Sequence, residues 1–494
     1  MIGHTKNLLQ MMECVSFRVW YVTVALVSLV FMICCGANTS FWFDEFAQIC
    51  YSGLDKTLME SALVLDPTPP LFNVTANIWY NLAPYGDRWL LLLPQLATAA
   101  SIYVVGLWAE QVRGRQAGLC AAILLGTSQM VLEQCGFEFR GYGFYLLFST
   151  LAMYCFHCRT SPDWERTPVG EAVFALVLAA LLYCHVFASM IFAALEMAEF
   201  VLVLCKKRKP AALIPYFLAG AAFLPWLIRF LLKAGSEVAV ATVDWMVKPT
   251  PWEVVKLAAY LCGNHIIVCI LLILGVLSVL AAACQTPAGS AARRMLLFLW
   301  VGAFQVVVMY LYGIIRTDAA SLWVKRYFTG LFPCCAVFCA EGLVSSVEWI
   351  CCRWRKWKSL WIYLIVFGSI VPVYLVKTAV GDTPLGVYYH RETAEILYQQ
   401  PDIFEEGTIV LSTLGDYVDG WKAYYVERQG EREGFLIRSL YDVGQEEILN
   451  YKTIYLDHGF LEMESEVRKE LDSGYMCIQE WEQESLSRYV RADR

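Results

Sequence analysis

Residues 17–45 read FRVWYVTVALVSLVFMICCGANTSFWFDE, an uninterrupted apolar run followed within a few residues by the acidic pair Asp44-Glu45. About 20 apolar residues span the ~30 Å hydrocarbon core of a bilayer, and the run from 18 to 37 is long enough to do so. Charge at the edge of a membrane is costly without a partner or a task, so the two carboxylates directly after this helix are the first functional clue. The alternative is that they only mark a polar helix exit.

The pattern of the first run recurs along the chain. Further apolar segments at 89–110, 116–134, 141–158, 170–186, 187–204, 211–231, 266–284, 295–315, 327–348 and 360–379 give about eleven predicted transmembrane helices. The composition agrees, with 58% hydrophobic and only 17% charged residues and a mean hydropathy of +0.51, well above a soluble domain. Basic residues mark the cytoplasmic loops: Arg113 and Arg115, Arg159 and Arg166, Lys206 to Lys209, Arg293 and Arg294, and Arg353, Arg355, Lys356 and Lys358 fall on one side. The Asp44-Glu45 loop falls on the other. This predicts a multi-pass cell-membrane protein with a cytoplasmic N-terminus and an extracytoplasmic C-terminus.

The composition changes at about residue 381. The tail 381–494 carries 11 Lys/Arg and 24 Asp/Glu, which argues against nucleic acid as a partner. Short apolar runs at 408–412, 435–439, 452–456 and 475–479 read as strands, alternating with helical patterns near 392–399, 416–427 and 461–472. The expectation is two domains: a transmembrane domain 1–380 containing a long outer loop 38–88, and a small acidic α/β domain 381–494. Within the loop, Asp66-Pro67-Thr68-Pro69-Pro70 forces a bend before an interfacial helix at 71–83. Pro251 similarly opens a surface helix. Nineteen cysteines sit mostly inside the apolar segments as small hydrophobes. Glu199 lies near the cytosolic end of its helix, where pairing with basic residues is expected.

Ionisable residues on the outer side gather at four helix ends: Asp44-Glu45; Asp66; Glu138-Phe139-Arg140-Gly141-Tyr142; and Arg316, Lys325, Arg326 and Tyr327. A bundle can bring these carboxylates and guanidiniums around one cavity. A carboxylate accepts a proton from an attacking hydroxyl, while Arg and Lys neutralise a departing phosphate. Those are the parts needed to move a group from a phosphate to a hydroxyl.

In order and sidedness, the Asp-Glu pair, Asp66-x-x-Pro-Pro-Leu-Phe, Glu138-x-Arg140-x-Tyr142 and Arg326-Tyr327 resemble the polyprenyl-phosphate-sugar-dependent membrane glycosyltransferases of the C-type (GT-C) fold, which include protein O-mannosyltransferases and aminoarabinose transferases. The resemblance implies inverting transfer of a hexose or pentose from a polyprenyl-phosphate donor to a hydroxyl of a protein, glycan or lipid. It places Asp44 as base, Glu45 orienting the acceptor, and Arg140, Lys325 and Arg326 on the donor phosphate. Asp66, Glu138, Tyr142, His185, Arg316 and Tyr327 are further substrate-binding candidates, His185 as the His-aromatic corner at a helix end. Thr68 stands where the family commonly has His, which leaves the sugar and acceptor open. No cofactor is expected, and a divalent metal, which paired acids also bind, is not favoured. The rival readings are a multi-pass transporter or lipid flippase, which predicts inverted repeats, and a non-catalytic scaffold working through its tail.

Overall fold

A computed structural model of the chain describes residues 17–36, 40–53, 68–82, 86–234, 248–286, 290–315, 322–354, 358–380, 389–428, 434–458 and 466–492. Asp66 and Arg316 lie outside the described residues.

Every predicted apolar run folds as helix: α1 (Phe17–Cys35), α4 (Asp87–Arg113), α5 (Arg115–Thr127), α6 (Gln129–Gly136), α7 (Tyr142–Arg159), α8 (Pro168–Cys184), α9 (Ala188–Leu204), α10 (Ile214–Ala234), α12 (Ile266–Gln285), α13 (Ala291–Ile315), α14 (Phe332–Arg353) and α15 (Ser359–Val380). Two shorter helices, α2 (Phe43–Ser52) and α3 (Leu71–Leu82), precede α4, and α11 (Pro251–Leu261) precedes α12. The expected count of eleven spans is not uniform. Among the described residues, seven segments are long and apolar enough to cross a bilayer, and the run at 116–134 is broken into α5 and α6 with a 61° bend. Helices α8 and α9 have 17 residues each, about 26 Å at the helical rise, just short of a hydrocarbon core.

The spans are not equivalent. Asp87–Arg113 and Lys325–Arg353 are 67% and 83% buried within the protein, against 17–28% for the other five. The first is α4, and the second is α14 with the 3₁₀ helix Lys325–Leu331 that leads into it. These two form the centre, and the rest present apolar faces outward. α14 approaches α12 so closely that a Cβ on Gly275 would stand 1.8 Å from the Phe338 carbonyl oxygen, and one on Gly342 2.2 Å from that of Leu271. Small residues permit this backbone contact where lipid supplies no hydrophobic drive for association.

One end of the bundle holds a buried ionic network. Arg159, 1% exposed, places its guanidinium on Glu171 at 2.7 Å and Glu199 at 3.5 Å, and Arg208 meets Glu199 at 2.9 Å. Glu199 is thus paired with basic residues, as its position predicted. The 18 residues of α7, about 27 Å long, separate Arg159 from Tyr142 at the opposite end.

The tail forms one five-stranded sheet of order β2-β1-β3-β5-β4, with β1 Thr408–Ser412, β2 Ile437–Ser439, β3 Thr453–Asp457, β4 Tyr475–Trp481 and β5 Leu486–Arg491. β1 pairs in parallel with β2 and β3, and β5 runs antiparallel between β3 and β4. The four expected strands are present. The fifth, LSRYVR, mixes charge into its pattern and gave no clean apolar run. The core of this domain is continuous with the end of the bundle opposite Arg159: Val410, Leu414, Trp421, Tyr424 and Tyr425 pack in one cluster with Phe41, Phe46, Phe72, Tyr80, Leu90 and Phe139.

Candidate active site

Helix α2 begins one residue after Trp42, so Asp44 and Glu45 lie in its first turn, where free N–H groups favour negative charge. The two carboxylates do different things. Glu45 is 3% exposed, and both its oxygens accept backbone hydrogen bonds, Oε2 from the Trp42 N–H at 3.1 Å and Oε1 from the Phe139 N–H at 2.6 Å. Burial holds its carboxyl well above the usual range, opposed by those two bonds. It ties the start of α2 to the turn carrying Glu138 and Arg140.

Asp44 faces the cations. Its Oδ2 stands 2.5 Å from Arg140 Nη1 and 3.0 Å from Arg326 Nη2. All three side chains keep 17–20% of their surface, which makes this a partly open cluster. Arg140 comes from the irregular turn between α6 and α7, and its guanidinium lies 5.7 Å over the Tyr142 ring. Arg326 comes from the 3₁₀ helix before α14, over the Trp42 ring at 5.8 Å. Its backbone is fixed by the Thr329 hydroxyl, which donates to the Arg326 carbonyl at 2.6 Å, and by Gln305 Nε2, which donates to the Tyr327 carbonyl at 3.0 Å. Gly330 lets this segment settle onto α7, since a Cβ there would come 2.8 Å from Ser149 Oγ and Tyr145.

Glu138 is 7% exposed. Its Oε2 is buried with no hydrogen-bond partner among the described residues. Burial raises its carboxyl to about 7, against the pull of Arg140 and Arg326. The group is a near-neutral acid beside two fixed cations and Asp44.

Aromatic rings line one side. The His185 ring stacks on Tyr145 at 4.9 Å and leans on Tyr142 at 5.3 Å, and Tyr327 stacks on Phe187 at 4.3 Å. The Phe187 N–H donates to His185 Nδ1 at 3.3 Å, so the neutral ring carries its proton on Nε2. Lys325 sits next to Arg326, half-buried, and makes no ion pair among the described residues. Thus Asp44, Glu45, Glu138, Arg140, Tyr142, His185, Arg326 and Tyr327 do belong to one neighbourhood.

Sequence reasoning missed Trp42 and a second carboxylate, Asp87. Asp87 opens a membrane helix at the same end of the bundle, the rule that selected the other four positions. Its partners Arg391, Tyr424 and Tyr425 come from the tail and carry no local signal. Asn73, in an Asn-Val-Thr pattern, is 1% exposed and accepts from Gln48 Nε2 at 2.5 Å, so it is enclosed in protein. Among the described residues no three His, Cys, Asp or Glu side chains converge to hold a metal ion.

No protein-family model and no curated protein sequence matches the chain. Solved structures do. ArnT from Cupriavidus metallidurans bound to undecaprenyl phosphate superposes with a TM-score of 0.58 at 12% identity, covering 96% of this chain and 98% of that one. Its apo form gives 0.56 at the same identity. The Archaeoglobus fulgidus oligosaccharyltransferase in complex with Zn and sulfate gives 0.50 at 13% identity, covering 89% of this chain and 68% of that one. The chain has the GT-C fold of these multi-pass membrane proteins.

Proposed function

We propose that the protein transfers a sugar from a polyprenyl-phosphate donor to an acceptor hydroxyl at the extracytoplasmic face, with inversion. The observation that carries this reading is the Asp44 carboxylate set between Arg140 and Arg326 at 2.5 and 3.0 Å. The fold supports it, being that of an ArnT whose structure holds undecaprenyl phosphate.

In the reaction, the acceptor oxygen attacks the anomeric carbon opposite the phosphate. The carbon–oxygen bond to the phosphate breaks and its electron pair leaves on the lipid phosphate, while the acceptor proton passes to Asp44. Arg140 and Arg326, with Lys325 adjacent, neutralise the departing phosphate through charge-assisted hydrogen bonds. A phosphate competes with Asp44 for the two guanidiniums, and drawing them toward itself frees the carboxylate to meet the acceptor hydroxyl. Donor before acceptor is the order this favours. Glu45, with both oxygens on backbone N–H groups, orients the site rather than the acceptor directly. Glu138, Tyr142 and His185 form the wall against which a sugar ring packs.

Purified protein in proteoliposomes, given a panel of labelled polyprenyl-phosphate sugars and candidate acceptors, tests the reading by mass spectrometry of the product. Asp44→Asn and Arg326→Ala are expected to abolish transfer. Wild-type rates in Asp44→Asn overturn the base assignment, and movement of substrate across the vesicle without covalent product would indicate a transporter instead.

A further inference from the structure

The C-terminal domain touches the site segment through more than apolar packing. The Tyr425 hydroxyl accepts the Phe41 N–H at 3.0 Å and donates to Asp87 Oδ2 at 2.9 Å. The Tyr424 hydroxyl donates to the other oxygen, Oδ1, at 3.0 Å. Arg391 Nη1 completes the set on Oδ2 at 3.0 Å. Asp87, Phe41, Tyr424 and Tyr425 are 6%, 1%, 0% and 3% exposed, so these bonds form in a medium of low dielectric where breaking one leaves a buried group unmet.

The connectivity is specific. Asp87 is the first residue of α4, one of the two enclosed central spans. Phe41 lies three residues before Asp44, next to Trp42, whose backbone is extended and caps α2. Tyr425 therefore links a fixed point of the membrane domain to the segment that leads into α2 and Asp44. The Phe41 ring stacks between Phe139 at 5.9 Å and Tyr424 at 5.3 Å, and Phe139 is the residue whose N–H Glu45 holds. A second seat lies at Gly420, where a Cβ would meet the Phe46 carbonyl oxygen of α2 at 2.7 Å.

We propose that the C-terminal domain is part of the transfer site, with Tyr425, Asp87 and Arg391 acting as positioning residues that fix the segment carrying Asp44. This rests on the transferase reading for its kinetic consequence, though not for its structural one. The domain's role is to hold the base on the two arginines.

The experiment uses the full chain in nanodiscs and compares wild type, Tyr425→Phe and Tyr424→Phe, which keep the rings and remove one hydroxyl each. Peptide-level hydrogen exchange over 41–52 is expected to accelerate about tenfold in Tyr425→Phe and to stay near wild type in Tyr424→Phe, which leaves the Phe41 bond intact. Transfer by Tyr425→Phe is expected to lose about tenfold in kcat with KM for the polyprenyl-phosphate sugar little changed, the mark of misplacement rather than lost donor binding. Arg391→Lys should retain more kcat than Arg391→Ala. Unchanged exchange at 41–52, equal acceleration in both tyrosine variants, or faster exchange across the whole tail would each overturn the proposal. Local release of 41–52 in a protein that transfers no sugar from any donor would uphold the positioning role and remove the transferase reading.

Discussion

At the scale of single residues, two adjacent acids have opposite fates because one faces backbone and the other faces guanidinium. Asp44→Asn keeps the size and one acceptor oxygen but loses basicity, so kcat should fall by roughly 10² or more, measured with saturating donor and acceptor. Glu138 provides a stability test. Its carboxyl is raised from 4.5 to about 7, so below pH 4.5 the folded and unfolded chains are both protonated. Between these values the folded chain keeps a proton that the unfolded chain has released. The stabilisation is full below 4.5 and lost as pH rises through 7, on the order of 3 kcal/mol for this shift. Thermal unfolding of wild type and Glu138→Gln across pH 4.5–8 should show the variant's midpoint falling less with pH. Parallel curves would remove Glu138 as a buried titrating acid.

At the scale of elements, the turn 137–141 and the start of α2 are held together by one side chain. Glu45→Ala leaves the Trp42 and Phe139 N–H groups without their acceptor and should destabilise by about 1–3 kcal/mol, with transfer lost as Arg140 drifts from Asp44. Unfolding midpoint and activity of the same preparation check both. The α12–α14 contact is equally restrictive. Gly342→Ala places a methyl against the Leu271 carbonyl, and the helices must part at a cost of about 1–3 kcal/mol, read as a lower midpoint in detergent. Most of the elements were legible in the sequence because apolar length and proline stops act locally: α1, α3, α11 and the strand at 408–412 lie where the pattern put them, and the strand expected at 452–456 runs one residue later, over Thr453–Asp457. Helix α2 was not, since Phe43–Ser52 is short and its stability comes from the tail packed on it rather than from propensity.

At the scale of the molecule, the basic loops predict that Lys206–Lys209 face the cytoplasm and the sheet domain faces outside. Single cysteines at Asp442 and Lys207, in a background without other accessible thiols, test this: a membrane-impermeant maleimide added to intact cells should label the first and spare the second. The reverse pattern would move the site to the other leaflet and end the proposal of an extracytoplasmic reaction. The two most enclosed spans, Asp87–Arg113 and Lys325–Arg353, carry Asp87 and Arg326 in their first turns, so the enclosed centre of the bundle supplies fixed points for both the site and the tail.

The sequence by itself determined the multi-pass architecture, the acidic composition of the tail and the residue types gathered at one end, because hydrophobic length, charge and proline act over a few residues. Only the tertiary structure decided which carboxylate meets the arginines, that Glu45 is consumed by backbone N–H groups, and that Asp87 joins the tail to the site. Those outcomes depend on contacts between residues as far apart as 41 and 425, which no local pattern encodes. Burial then raises the carboxyls of Glu45 and Glu138 once their neighbours are in place.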